Sequence, residues 1–436
     1  PNVVDRGVQQ EVLLQLEPIF EPTFHGSSHG FRRYRGAQTA IAEATKYFNE
    51  GYGTTVDIDL SKFFDRVHHQ RLLARMGKRV GDGRVLKLVH RMLKAKVVLP
   101  DGTRVVTEKG TPQGGVLSPL LANIALDGIE ELLSNWIAEI PAFSPGGHRI
   151  SKPNRRKRLL FVRYADDFVV LHPDKEVVES AKSFIEEFLK TMSLEIHQGK
   201  TSITHTYISV DNQRPGFKFL GFWIRNYLVG KTKRGKRGEE YKTFIRPYPQ
   251  NISDVLRKIK IILRQNREVT TVVERLNPII RGWANYFSTV ASKKTFSAMD
   301  NKLMIQLMRW AKRKHPTRPK VWIRNRYLFK DTRNGKSRLR FGYMGKKQEV
   351  IGISYFAETP IVRHKKIAGY KSIYDNDLVY WSERGRALGN RAFSKSILRI
   401  LRNQNNKCNI CNLKFLPGDV ITRGGLRDKR AIKKTC

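Results

Sequence analysis

The chain has 436 residues, with 82 Lys or Arg against 39 Asp or Glu and a formal charge of +43. Hydrophobic residues make up 40%, which excludes a wholly disordered polycation, and the length predicts two to four domains. So large a charge on a foldable chain favours a polyanion, nucleic acid rather than a membrane surface, since no segment approaches the ~20 apolar residues of a spanning helix.

The first residues, "PNVVDRGVQQEVL", read as the middle of a fold, which predicts further sequence before them. Residues 1–50 alternate helical patterns with a Gly-, Ser- and Arg-rich loop, "FHGSSHGFRRYRG". Residues 51–230 mix short apolar strands with amphipathic helices, which predicts the α+β class. In "TVDIDLSKFFD" (55–65), a strand would put Val56, Ile58 and Leu60 on one face and Asp57 and Asp59 on the other. The apolar face is expected in the core and the acidic face towards open space. In "KGTPQGGVLSPLLANIAL" (109–126), Thr111–Gly115 has the composition of a tight loop, and the apolar run after it suits a buried helix.

"RYADDFVV" (163–170) lies between strand-like apolar runs and reads as a β-hairpin with its acids at the turn. Adjacent aspartates can be ordinary turn chemistry. With flanks this apolar, a bound divalent cation is the better account of two repelling carboxylates. If the 55–60 strand lies beside the hairpin, up to four carboxylates converge, a setting for two-metal phosphoryl transfer. Paired acids also serve glycosidases, but the basic charge gives no reason to expect a sugar.

"KEVVESAKSFIEEFLKTM" (175–192) is the clearest helix, with Val178, Ala181, Phe184, Ile185, Phe188 and Met192 on one face. In "LEIHQGKTSITH" (194–205), Lys200 is a candidate to neutralise or protonate a departing pyrophosphate, although a lone lysine is more often simply solvated. "GKTKRGKRGEE" (230–240) marks a boundary or hairpin. "TVVERLNPIIRGWANYFS" then puts Leu276, Ile280, Trp283 and Phe287 at helical spacing. From Arg309 to Arg326 there is no acid, and interleaved Trp310 and Trp322 suit a nucleic-acid contact. Three cysteines exclude a disulfide scaffold and suit a cytoplasmic location. Two of them, Cys408 and Cys411 in "CNICNLKF", have the spacing of a zinc half-site.

The ordered set "VDIDLSKFFD", "GTPQGGVLSPLLANIAL", "RYADD", "LEIHQGKTSITH" and "FLGFWI" (219–224) resembles reverse transcriptases. With "LNPIIRGWANYFS" it resembles most the group II intron-encoded reverse transcriptase/maturase family. The resemblance implies a right-hand polymerase. Residues 1–230 would form fingers and an antiparallel-sheet palm, with part of the fingers missing. Residues 231–330 would form an α-helical thumb, or maturase (X) domain, and 331–400 a basic DNA-binding region. Residues 401–436 resemble the start of an HNH nuclease module, a partial fragment with Zn²⁺ possible at Cys408 and Cys411.

The same resemblance implies a catalytic triad of Asp59, Asp166 and Asp167, holding two Mg²⁺ with the Leu60 carbonyl. Asp57 and Asp65 do not fall at ligand positions. Phe64 matches the residue that crowds a ribose 2′-OH, Gln113 and Gly114 the loop against the incoming nucleotide, and Lys200 a general acid. The implied function is RNA-directed DNA synthesis, with maturase and retrohoming roles. The implied partners are intron RNA, an RNA template with a DNA or RNA primer, target DNA and dNTPs, and no membrane. A maturase without polymerase activity is the alternative; an RNA-dependent RNA polymerase fits Phe64 poorly. "HGFRRYRG" departs from the family, carrying Arg33 and Tyr34 where Pro-Gly is expected.

Overall fold

Alternating and apolar segments of the chain pair into an antiparallel sheet of four strands. Their spatial order is Leu160–Tyr164, Asp167–His172, Thr54–Asp59 and Ser202–His205. The computed structural model describes residues 2–50, 52–98, 101–105, 107–112, 114–144, 146–210, 214–228, 241–331, 338–346, 348–387, 394–415, 421–423 and 432–434. By packing, the chain divides into two units. One comprises Pro1–Tyr34, Phe64–Gly128 and Ile367–Cys436; the other comprises Arg35–Phe63 and Ile129–Lys366. The architecture is mixed α and β with antiparallel sheets.

The second unit holds the four-stranded sheet. On one face Val56 and Ile58 lie opposite Val170 and Phe168, all buried, and the helix Lys175–Thr191 packs there. That helix buries Val178, Ala181, Ile185 and Phe188, as its periodicity predicts, while Phe184 stacks on Trp136 at 5.5 Å. On the other face, Val162, Val169 and Leu171 belong to the core that includes the helix Ala37–Asn49. Cross-strand partners share a face, and Asp57 lies opposite Val169. The acidic face is therefore not open, contrary to expectation: it continues the apolar surface of the neighbouring strand, and Asp57 is half-buried.

A second antiparallel sheet joins Phe217–Phe219, Phe222–Leu228 and Tyr241–Pro247. Its first turn, Leu220–Gly221, has φ of +47° and +79°, the backbone of a two-residue hairpin turn with both centres left-handed. A Cβ on Gly221 would come within 2.6 Å of Asn251 Nδ2 and would sit on a left-handed backbone, so a side chain there is strained. Beyond it the helices Pro249–Gln265, Val269–Phe287 and Lys293–Lys314 pack together, with Leu276, Ile280 and Phe287 buried. Trp310 is also core: it is 3% exposed and its Nε1 donates to Asn266 O at 2.8 Å. It offers no stacking face to a base, which corrects half of the aromatic interleaving; Trp322 is half-buried against His315.

The first unit contains the helices Val3–Phe20, His69–Gly77, Gly83–Leu93 and Ser118–Leu126. The last is buried along its length, as the apolar run predicts. A network of buried polar groups ties the 24–36 loop to the C-terminal segment. Arg32 Nη2 pairs with Glu21 Oε1 at 2.9 Å, and Ser372 bonds to the same carboxylate. Arg33 pairs with Glu17 at 3.1 Å, Tyr374 Oη donates to Glu17, and the Tyr34 ring packs on Trp381. The two residues that depart from the family pattern are thus those that meet Glu17 and Trp381. Among the described residues, no helix is long and apolar enough to cross a membrane.

Candidate functional site

The "RYADDFVV" segment folds as a hairpin whose turn is Ala165–Asp166, while Asp167 already begins the return strand. Ala165 has a φ of +57°, a left-handed conformation that costs a non-glycine residue about 1 kcal/mol or more. The strain is held by ten strand residues whose register runs from Leu160↔Leu171 to Tyr164↔Asp167. Asp59 ends the neighbouring strand directly opposite Asp167. Three aspartates therefore fall at one end of the sheet, Asp59 and Asp167 on paired strands and Asp166 at the hairpin turn beside Asp167.

Leu60 extends that strand through a bridge to Ile196. His197 N donates to Asp59 O at 2.8 Å and Ser61 N to Glu195 O at 2.9 Å. In this antiparallel pattern the N–H and C=O of Leu60 itself point away from residue 196, towards the edge where the hairpin lies. The turn after His197 brings Lys200 Nζ to 2.8 Å from Asp59 Oδ2.

Burial and mutual repulsion set the charges here. Burial first, then Asp166 and Asp59, push the Asp167 carboxyl up to about 6. Burial raises Asp166 as well, with Asp59 adding to it. For Asp57, burial first and then Asp167 and Asp59 push the carboxyl up to about 7. The hydrogen bond and charge of Asp59 raise Lys200, which stays protonated.

Hard-oxygen donors whose burial, and then repulsion, raises the pKa of Asp166 and Asp167 suit a divalent cation such as Mg²⁺. Among the described residues, no three His, Cys, Asp or Glu side chains are already drawn together into a metal-holding cluster. The Lys200 ammonium instead stands as the cation against Asp59.

Glu130 and Arg163 were not singled out by sequence reasoning. Arg163 Nε donates to Glu130 Oε1 at 2.7 Å, with side chains 0% and 1% exposed. Arg163 lies three residues before Asp166, so the pair ties the hairpin to the helix Ile129–Glu139. A signal existed: an arginine inside "LLFVRY" cannot be buried without a partner.

In the first unit, Phe64 is half-buried beside the segment Lys109–Pro112, where a cavity of about 380 Å³ opens. Thr111 N donates to Phe64 O at 2.6 Å, and Gly110 N to Val67 O at 2.8 Å. A Cβ on Gly110 would come within 2.7 Å of Phe64 O. His69 Nε2 bonds to Gly110 O at 2.7 Å, and the buried Gln9 accepts from Val116 N at 2.8 Å. Neither His69 nor Gln9 carried a sequence signal. Gly114 has a φ of +76°, and Gln113 lies outside the described residues. Cys408 is buried with Leu398, Leu401 and Phe415. No third ligand joins it and Cys411 among the described residues, and Cys436 lies outside them.

Residues 1–224 match the family described as reverse transcriptase (RNA-dependent DNA polymerase), and residues 252–328 match the group II intron maturase-specific domain. The chain belongs to the reverse transcriptase family, in its group II intron-encoded reverse transcriptase/maturase branch. It is similar to group II intron-encoded protein LtrA of Lactococcus lactis subsp. cremoris, 31% identical over 281 residues, 54% of this chain and 45% of that protein. Protein YkfC of Escherichia coli (strain K12) is 31% identical over 239 residues, 51% of this chain and 61% of its own. A putative COX1/OXI3 intron 1 protein of Saccharomyces cerevisiae is 26% identical over 351 residues, 67% of this chain and 41% of its own. The chain spans about half the length of the curated relatives it matches.

Proposed function

We propose that the chain is an RNA-directed DNA polymerase that also binds its intron RNA, supports splicing and takes part in retrohoming at a DNA target. The observation that carries the reading is the placement of Asp59 opposite Asp167 with Asp166 at the adjoining turn. Asp59, Asp166, Asp167 and the Leu60 carbonyl would hold two Mg²⁺. When bound, these ions lower the pKa of a primer 3′-OH and offset the charge of the leaving pyrophosphate.

The chain's own residues supply the rest. Lys200, kept protonated beside Asp59, is the proton donor for the departing pyrophosphate. Phe64 crowds the ribose 2′-OH and so selects deoxynucleotides. Gln113 and Gly114 abut the nucleotide, where a left-handed backbone at Gly114 lets the chain come close. Residues 1–230 serve as fingers and palm, 231–330 as thumb and maturase domain, and 331–400 as a DNA-binding region. Extension of a DNA primer on an RNA template in Mg²⁺ tests this. Asp166→Asn abolishes extension while circular dichroism stays unchanged; an unaltered rate in that variant refutes the assignment.

A maturase that only binds RNA is the second reading, favoured by the match at residues 252–328. Half-buried acids that repel one another weigh against it, because they oppose a polyanion unless a cation covers them. Wild-type protein that splices intron RNA but extends no primer would establish that alternative.

A further inference from the structure

Remote from the carboxylates, the second unit contains a cavity of about 280 Å³ beside the helix Lys152–Arg158. This is just below the roughly 300–1,000 Å³ of ligand pockets, so it has room for a single small group. Its polar lining is Arg155, Arg158, His172 and Asp174. Arg155 is 3% exposed, and the described residues give its guanidinium one hydrogen bond, from Nη1 to Ile140 O at 2.5 Å. Its Nε is buried without a partner. Arg158 forms no ion pair among the described residues.

The other polar groups are occupied. His172 Nδ1 accepts from Asp174 N at 3.0 Å, and burial first, with Arg158 adding, holds its pKa down at about 4, so the ring is neutral. The Asp174 carboxylate caps the next helix, accepting from Glu176 N at 2.9 Å. Within the lining, two arginines thus face one carboxylate that is already engaged; Arg155 also lies near Glu139, which Lys152 holds. Five donors on each guanidinium exceed what the protein uses.

The remaining wall is apolar and includes Ile140, Phe143 and Val177. Phe143 is 60% exposed, so its ring is open to a partner. It is not on a loose loop: it bridges to Arg149, Ile150 N donates to Ala142 O at 2.8 Å, and Ser144 N to His148 O at 2.8 Å. A ring fixed at the mouth of a cavity with two under-used guanidiniums has the parts of a nucleotide site: a stacking face and phosphate donors. Outside the cavity, Lys157 on the same helix is exposed, placed for the phosphate of a neighbouring nucleotide; Lys152 is paired with Glu139 at 2.7 Å and Arg156 Nη2 donates to Asn135 Oδ1 at 3.0 Å.

We propose that this cavity takes one unstacked nucleotide of a single-stranded RNA, its base on Phe143 and its phosphate on Arg155 and Arg158. It rests on the reading that the chain binds RNA, and the two are separable. A 4-thiouridine oligoribonucleotide is photocrosslinked to the full chain and the crosslink on the Phe143 peptide is quantified. Its overall binding is measured in parallel. The crosslink forms, falls at least tenfold in Arg158→Gln, and recovers in part in Arg158→Lys. Phe143→Leu weakens binding of the same oligonucleotide by about tenfold. Excess unlabelled RNA competes, and AMP at equal nucleotide concentration does not. Binding without a crosslink at this peptide, or a crosslink indifferent to Arg158→Gln, overturns the site while leaving RNA binding intact. No binding at all sinks the RNA reading itself. Competition by AMP but not by RNA would give the cavity to a free nucleotide and overturn the proposal as stated.

Discussion

The Arg163–Glu130 pair is where a substitution outside the acids should do most damage to them. Both side chains are fully withdrawn from water and joined at 2.7 Å. Removing one partner leaves the other charge buried, at a cost of about 3–5 kcal/mol. Arg163→Met and Glu130→Leu should each destabilise the second unit by that amount. The double variant should lose much less, because two apolar side chains of similar volume carry no stranded charge. The coupling energy in the cycle should therefore be about 2 kcal/mol or more.

Urea unfolding followed by tryptophan fluorescence gives the midpoints, and amide exchange at Val162 and Val169 reports on the hairpin strands directly. Polymerase activity adds a second readout. Only Tyr164 separates Arg163 from the Ala165–Asp166 turn, so a loosened strand end lets the strained turn relax, and extension falls though every acid is present. Single variants that cost under about 1 kcal/mol, as exposed pairs do, would refute the reasoning. So would a double variant whose cost is the sum of the singles.

Asp57 predicts an inverted pH dependence. Its carboxyl is raised from 3.8 to about 7, so between those values the native state binds more protons than the unfolded one and stability falls as pH rises. Without divalent cations, Asp57→Asn should flatten that decline and stabilise the protein at pH 8 but not at pH 4; equal slopes in thermal melts would contradict this. Adding MgCl₂ at pH 7.5 should raise the wild-type melting temperature and raise that of Asp167→Asn less, a readout independent of turnover. Phe64→Ala should raise NTP incorporation relative to dNTP by on the order of tenfold or more; an unchanged ratio removes Phe64 from sugar selection. RNA affinity should fall with salt at a slope of about 0.7 per phosphate neutralised. A flat salt titration would argue against phosphate contacts altogether.

Period-two alternation around Asp57 and Asp59, and apolar runs on both sides of Asp166, make the strand and the hairpin legible in the amino-acid sequence. The buried helix at Ser118–Leu126 is legible for the same reason, since nothing in it can face water. What escapes a reading of the sequence are the consequences of strand neighbours. Alternation says that Asp57 faces away from Val56, but only the register shows Val169 beside it, and that neighbour buries it. Trp310 reads as an exposed aromatic because its surroundings in sequence are basic. In the helix Lys293–Lys314 it lies on the same stripe as Leu303 and Leu307, which is the core side. Glu130 and Arg163 lie 33 residues apart, beyond any local pattern. Arg33 and Tyr34 look anomalous until Glu17 and Trp381 are seen beside them.

The distribution of buried acids carries the last step. Elsewhere in this basic chain a buried carboxylate has an arginine: Glu21 with Arg32, Glu130 with Arg163, Asp300 with Arg338, Asp331 with Arg340. Those pairs are permanent, since a guanidinium does not deprotonate and its fork matches the carboxylate. Asp57, Asp166 and Asp167 have no such partner among the described residues, in a chain with 82 Lys and Arg to draw on. The nearby cations are exposed lysines: Lys200 pairs with Asp59, and the charge of Lys218 acts on Asp57 and Asp167. A fixed arginine would have lowered these pKa values and stabilised the fold, but it would also have filled the site. Leaving the acids short of positive charge stores repulsion that a mobile cation can relieve. Lys200, on a flexible stem, can move aside when that cation arrives.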